Sequence, residues 1–185
     1  MRVITGEARG RRLKEPAGMD IRPTTDKVKE SMFNIIQFDI EGRNVLDLFG
    51  GSGQLGIEAL SRGAESAVFV DNSQAALKLI AENLKTVGLE DRARVVKCDA
   101  ISFLSSAGKY GLILLDPPYN TDLIDRAIQT IIRFDKLKEN GIIVCESKVE
   151  KNIHVDPPYY LSREYKYGNV KITVFSRGAD KKTRL

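Results

Sequence analysis

Residues 44–62, NVLDLFGGSGQLGIEALSR, are compatible with few folds. NVLDLF has the continuous apolarity of a buried strand, and QLGIEALSRG reads as a helix. Between them, Gly51-Ser52-Gly53-Gln54-Leu55-Gly56 is a literal GxGxxG in the strand–loop–helix setting that the motif requires. Asp71 follows 20 residues after Gly51, at the end of a second strand, SAVFVD. Glycines let a ligand approach the backbone closely, and a strand-terminal acid can grip two ribose hydroxyls. The pattern implies a nucleoside-containing ligand on an α/β sheet.

The rest of the chain continues that alternation. ARVVKC, YGLILLD and GIIVCES carry the strand pattern. Between them, Leu77, Ile80, Leu84 and Val87, then Ile124, Ala127, Ile128, Ile131 and Ile132, fall at helical spacing. Five strands separated by helices specify a parallel sheet covered on both faces, because parallel strands need crossovers. YYLSREYKYGNVKITVFSR alternates around Gly168-Asn169, as an antiparallel hairpin does. Ahead of the sheet, Val28, Met32, Ile35 and Ile36 share a helical face that Thr24, Thr25 or Asp26 can cap. The expectation is one domain over 1–185, with a basic arm or hairpin at 1–22 and an α/β core at 23–185.

Composition removes several function classes. Cys98 and Cys145 sit in apolar runs without CxxC spacing and read as buried reduced thiols. The single histidine, His154, has no neighbouring ligand and no serine motif. A zinc site and a Ser-His-Asp hydrolase are both disfavoured, and metal-free chemistry is expected. No apolar run approaches the ~20 residues that span a bilayer. The N-terminus has no continuous apolar h-region, so a cytosolic location is expected. Net charge is +4, and Arg2, Arg9, Arg11, Arg12 and Lys14 crowd the N-terminus. With a second basic stretch at the C-terminus, this points to a polyanionic partner.

Asp47, just before the glycines, selects among nucleoside cofactors. The pyrophosphate of a dinucleotide would be repelled by a carboxylate there, which disfavours an NAD-dependent oxidoreductase. S-adenosylmethionine carries an ammonium and a sulfonium instead, and an acid helps to hold it. Asp99, ending the third strand, suits an adenine amine; for both acids the competing role is capping of a local turn. This combination resembles the class I, Rossmann-like S-adenosylmethionine-dependent methyltransferases over residues 44–147. The resemblance implies strand order 3-2-1-4-5-7-6, with strand 7 antiparallel and supplied by the terminal hairpin. It also implies cofactor contacts from Asp47, Phe49, Gly50, Gly51, Ser52, Gly53, Asp71, Asn72, Asp99 and Ala100.

Asp-Pro-Pro-Tyr occurs twice, at 116–119 and at 156–159. Only the first copy leaves an apolar strand, LILLD, on the rim where such sheets bind ligands. The second follows the polar KNIHV and is expected to be a rigid connector into an edge strand. At the first copy, Asp116 and the Pro117 carbonyl can each accept a hydrogen of an exocyclic base amine. That arrangement directs the nitrogen lone pair towards a sulfonium methyl. Pro118 stiffens the turn, Tyr119 offers a face on which an extruded base can stack, and Asn120 can bond the base edge or cap the next helix. The motif resembles the [D/N/S]PP[Y/F/W] of amino-methyltransferases acting on adenine N6, guanine N2, cytosine N4 or protein glutamine, and does not choose among them.

The catalytic fold uses nearly the whole chain, which leaves little protein to read a DNA sequence and favours structured RNA. RVITGEARGRRLKEP, IRPTTDKVKESMFNII, DLFGGSGQLGIEALSRGA and LLDPPY together resemble the bacterial RsmD family, from Arg2 to about Val174. The resemblance implies methylation of a guanine N2 in 16S rRNA, 16S rRNA (guanine(966)-N(2))-methyltransferase type, on an assembled or nearly assembled small subunit, by a monomer. It implies that Arg9, Arg11 and Arg12 contact rRNA phosphates, with Arg22, Thr24 and Thr25 bordering the methionine end of the cofactor. Where many relatives have Ala, this chain has Gly50. The competing functions are adenine-N6 methylation and a non-catalytic RNA-binding factor.

Overall fold

In the computed structural model, which describes residues 1–16 and 26–178, the apolar runs form seven strands. These are β1 (Asn44–Asp47), β2 (Ser66–Asp71), β3 (Ala93–Lys97), β4 (Tyr110–Leu115), β5 (Leu137–Lys148), β6 (Tyr159–Tyr167) and β7 (Val170–Arg177). The periodic segments form helices α1 (Asp26–Ile35), α2 (Gln54–Ser61), α3 (Gln74–Val87), α4 (Ala100–Ser106) and α5 (Leu123–Arg133). The sheet order is β3-β2-β1-β4-β5-β7-β6, as expected. β1 to β5 are parallel, and β7 pairs antiparallel with both β5 and β6.

The central strand explains the layers. Every residue of β4 is buried. Leu112 and Leu114 join the core under α1, α2 and α3, whereas Ile113 and Leu115 join the core under α4 and α5. Successive strand side chains point to opposite faces, so an unbroken apolar run needs both faces covered. α5 buries Ile124, Ala127, Ile128 and Ile131, the stripe legible in its sequence. β5 begins earlier than GIIVCES implies. Leu137 pairs with Tyr110, and a register irregularity follows, with Asn140 at φ 57°.

Residues 1–14 are no free arm. Arg2 and Arg12 bridge an antiparallel hairpin whose Val3, Ala8 and Leu13 are buried in the main core. Its amides are held by the body: Ile4 and Thr5 donate to the Glu58 carboxylate at 2.8 and 3.0 Å, and Ala8 donates to Ser61 Oγ at 3.0 Å. Gly6 sits at φ +90°, and a Cβ there would lie 1.7 Å from the Ser61 carbonyl oxygen. Only glycine permits that approach. Beneath the hairpin, the fully buried Glu58 also accepts from Arg62 Nε at 2.8 Å and lies 3.9 Å from the equally buried Lys29 ammonium. Cys145 is buried and Cys98 only half-buried, both as free thiols. Arg22, Thr24 and Thr25 lie outside the described residues. Among those described, no helix is long and apolar enough to cross a membrane.

Candidate active site

The sheet order reverses between β1 and β4, and the two candidate motifs leave these neighbouring strands at their carboxyl ends. Asp47 is in register with Leu114, and the Leu48 N–H donates to the Leu114 carbonyl at 3.2 Å. Asp116, two residues beyond Leu114, therefore lies beside the start of the glycine loop. In open α/β sheets this switch point is where ligands bind.

Each glycine of the loop has a separate geometric reason. Gly51 and Gly53 have φ of 54° and 78°, in the left-handed region. A Cβ at Gly56 would lie 2.3 Å from the Phe69 ring, so its absence lets α2 pack on β2. Asp71 braces the turn: Oδ2 accepts from Gly51 N–H at 2.9 Å and Oδ1 from Ser73 N–H at 2.8 Å. Phe49 is half-buried against the core under α4 and α5, and Asn72 is exposed beside Asp71.

Asp47 lies deeper than an acid at the loop's mouth. It is 1% exposed and accepts from Gly56 N–H at 2.9 Å. Burial pushes its carboxyl up to about 7, the Gly56 hydrogen bond opposes this, and the nearby Asp71 charge adds to it. Its ordinary value is 3.8. A carboxyl raised on folding contributes stability that is complete below the unfolded value and is lost as pH rises through the folded one. Asp47→Asn keeps an acceptor for Gly56 without that titration. Its melting temperature relative to wild type should therefore climb between pH 5 and pH 8, and a pH-independent difference would refute the assignment.

Asp99 caps α4, accepting from the Ser102 N–H at 2.9 Å and the Ser102 hydroxyl at 3.0 Å. These bonds hold its carboxyl below the usual range. The capping role is therefore present, at an exposed position on the same rim, with Ala100 opening the helix behind it. Ser52 and Gly53 complete the loop. Ser52 Oγ lies 3.5 Å from the Met1 sulfur, and its carbonyl accepts from Asn83 Nδ2 at 2.9 Å.

The first DPPY lines a cavity of about 260 Å³ with Pro117, Pro118, Tyr119, Ile124, Glu146 and Lys148 among its walls. Pro117 is buried, Asp116 half-buried and Pro118 exposed. The Pro118 carbonyl accepts from the Thr121 hydroxyl at 2.7 Å, which folds the turn back on itself. Tyr119 is 41% exposed, and its hydroxyl donates to Glu146 Oε1 at 2.5 Å. Asn120 does not cap α5, whose N-cap is Asp122; its Oδ1 accepts from Lys148 Nζ at 2.8 Å. Glu146 and Lys148 were missed by sequence reasoning. The signal is present, because Glu146 follows the apolar run GIIVC just as Asp116 follows LILL.

The second DPPY lies elsewhere. Asp156 is exposed, Pro157-Pro158 is a cis peptide, and Tyr159 is buried as the first residue of the edge strand β6. The Tyr159 hydroxyl donates to Asp135 at 3.2 Å. Asp156→Ala is expected to leave methyl transfer within about twofold of wild type in a single-turnover assay. Arg9, Arg11 and Arg12 are exposed on the hairpin, with Arg11 Nη1 donating to the Thr86 carbonyl at 3.1 Å.

The residues present fit S-adenosylmethionine. The loop 47–54 contains no cation to meet a pyrophosphate, whereas carboxylates end β1 and β2 and another follows β3. Gln54 Oε1 adds a buried acceptor without a hydrogen-bond partner at the start of α2.

The model of a family described as conserved hypothetical protein 95 matches residues 1–176. YlbH of Bacillus subtilis (strain 168) is 41% identical over 182 residues, 96% of this chain and 99% of its own. The protein named ribosomal RNA small subunit methyltransferase D of Escherichia coli (strain K12) is 36% identical over 97% of this chain and 91% of its own. The solved structure of yhhF from Escherichia coli has a TM-score of 0.85 at 35% identity, covering 97% of this chain and 99% of that one.

Proposed function

The chain belongs to the RsmD family, whose model is described as conserved hypothetical protein 95, and on that premise we propose that it methylates the N2 amine of a guanine in 16S rRNA, using S-adenosylmethionine. The observation that carries the reading is the placement of the glycine loop and the first DPPY on adjacent strands at the switch point. The relatives named for the small-subunit rRNA support the substrate class. Guanine N2 rests on the family resemblance carried together by RVITGEARGRRLKEP, IRPTTDKVKESMFNII, DLFGGSGQLGIEALSRGA and LLDPPY.

Bound S-adenosylmethionine would supply an electrophilic methyl on a sulfonium, with a neutral thioether as the leaving group. The chain's own residues do the rest. Asp71 takes the ribose hydroxyls on the lone pairs left by Gly51 and Ser73. The glycine turn holds the methionine end, braced from behind by the buried Asp47 through the Gly56 N–H, and the family resemblance assigns Thr24 and Thr25 to the same end; Phe49, Asn72, Asp99 and Ala100 frame the adenine. The guanine stacks on Tyr119 while Asp116 and the Pro117 carbonyl each accept one N2 hydrogen. These two acceptors would aim the nitrogen lone pair at the rim where the cofactor's methyl would stand, and Asp116 would accept the proton that the amine gives up. Arg9, Arg11 and Arg12 meet phosphates, and the assembled or nearly assembled small subunit supplies the shape that a monomer this small cannot read as sequence.

Labelled S-adenosylmethionine, incubated with undermethylated small subunits and followed by digestion to nucleosides, should place the label in N2-methylguanosine. Label in N6-methyladenosine, or only in DNA, would sink the base assignment. Tight NADH binding without S-adenosylhomocysteine binding would overturn the cofactor.

A further inference from the structure

We propose that the Lys148 ammonium, at the mouth of the DPPY cavity, binds a backbone phosphate of the target nucleotide. This rests on the rRNA reading above and names the group that admits a polyanion to the rim. One carboxylate ends β2 and others follow β3 and β4, as a cationic cofactor requires. The same charges repel RNA where its base must enter. The basic hairpin does not answer this, because its bonds are to α2 and α3, whereas the cavity is walled by the DPPY turn, β5 and α5.

Two cations line the cavity, Lys148 and Lys151. The Lys148 carbonyl accepts from the Lys151 N–H at 3.0 Å, a turn that brings both to the end of β5. Lys151 is committed, because its ammonium pairs with Asp125 near the start of α5. Lys148 is not. Residues two apart on a strand face the same side, so Glu146 is the buried group of that wall and Lys148 the exposed one. Lys148 Nζ donates to the neutral Asn120 Oδ1 at 2.8 Å, and among the described residues it forms no ion pair. That contact uses one of three N–H donors and leaves two for phosphate oxygens. A base extruded onto Tyr119 keeps its sugar and phosphates at the opening, where Lys148 stands. Glu150, exposed on the same wall, keeps the local net charge low, so the effect is that of one contact rather than of a basic patch.

The test measures binding of undermethylated small subunits against salt at fixed magnesium. One phosphate contact contributes about 0.7–0.9 to the slope of log affinity against log salt concentration. Lys148→Gln keeps a donor for Asn120 without the charge. It should lower the slope by that amount and weaken binding about fivefold at about 0.1 M salt, with S-adenosylhomocysteine affinity unchanged. Lys148→Arg should restore the slope. Asn120→Ala leaves the cation in place and should keep the wild-type slope. Lys138→Gln removes an equal charge from the other end of β5 and should keep it too. An unchanged slope in Lys148→Gln, with methyl transfer intact in wild type, overturns this inference alone. An equal loss of slope in Lys138→Gln overturns it as a net-charge effect. The same loss in Asn120→Ala overturns it by reducing Lys148 to a prop for that amide. Absence of transfer to small subunits by wild type is a separate result, which removes the proposed substrate and this inference with it.

Discussion

Asp116→Ala should lower single-turnover methyl transfer by about 10³-fold while the affinity for S-adenosylhomocysteine changes by less than about threefold. The first half follows from where charge develops. The amine nitrogen becomes tetrahedral and cationic as the new bond forms, and a fixed acceptor at that point is worth most in the transition state. Loss of one preorganised polar group at such a position typically costs about 10²–10³ in kcat, and a charged one belongs at the upper end. The second half follows from placement. Asp116 directly follows β4, whereas the cofactor loop is braced by Asp71 and Asn83 from other strands and helices. Asp116→Asn keeps the shape but not the charge, and should fall between Ala and wild type. Undiminished turnover in Asp116→Ala would refute the acceptor role, and an equal loss of S-adenosylhomocysteine binding would recast the residue as part of the cofactor site.

Glu58→Ala should cause the largest loss of stability among the single changes considered. Its carboxylate is fully buried, accepts the Ile4 and Thr5 amides and the Arg62 Nε, and faces the buried Lys29. Removing one member of a buried ion pair strands the others, at a cost of roughly 3–5 kcal/mol. For a chain of this size that corresponds to a fall of roughly 6–20 °C in melting temperature. Burial already holds the Lys29 ammonium below its usual range, with Glu58 the main influence against it. Without Glu58 that depression deepens. A base whose pKa is depressed on folding makes stability rise with pH, so the deficit of Glu58→Ala should be largest in acid and shrink towards alkaline pH. Adding Lys29→Met should recover part of the loss by removing the stranded cation. A melting temperature within a few degrees of wild type would show that the network contributes little.

Much of this arrangement is legible from residue patterns because each functional strand announces itself twice, by an apolar run and by the acid or glycine that ends it. LILLD followed by two prolines locates Asp116 on the ligand rim, and VDPPYY without such a run leads only to an edge strand. Local patterns carry that information. They do not carry which distant groups meet. Glu58 reads as an ordinary helical glutamate four residues before Arg62, and nothing near it in sequence announces Ile4, Thr5 or Lys29. Arg9, Arg11 and Arg12 mark a basic arm or hairpin, but charge patterning is silent about Val3, Ala8 and Leu13 docking on the core. Glu146 falls between these cases: its strand end was visible, but its meeting with Tyr119 depends on how β4 and β5 align.

Asn83 joins two parts that would otherwise move separately. One fully buried amide accepts the Lys14 N–H at 2.8 Å, donates to the Lys14 carbonyl at 3.1 Å, and donates to the Ser52 carbonyl at 2.9 Å. Opening either the hairpin or the glycine turn leaves part of that amide unsatisfied in the protein interior, so each makes the other's opening cheaper. In hydrogen-exchange terms the two form a single cooperative unit, despite the 38 residues that separate Lys14 from Ser52 in the chain. Their amide protons should report one protection free energy.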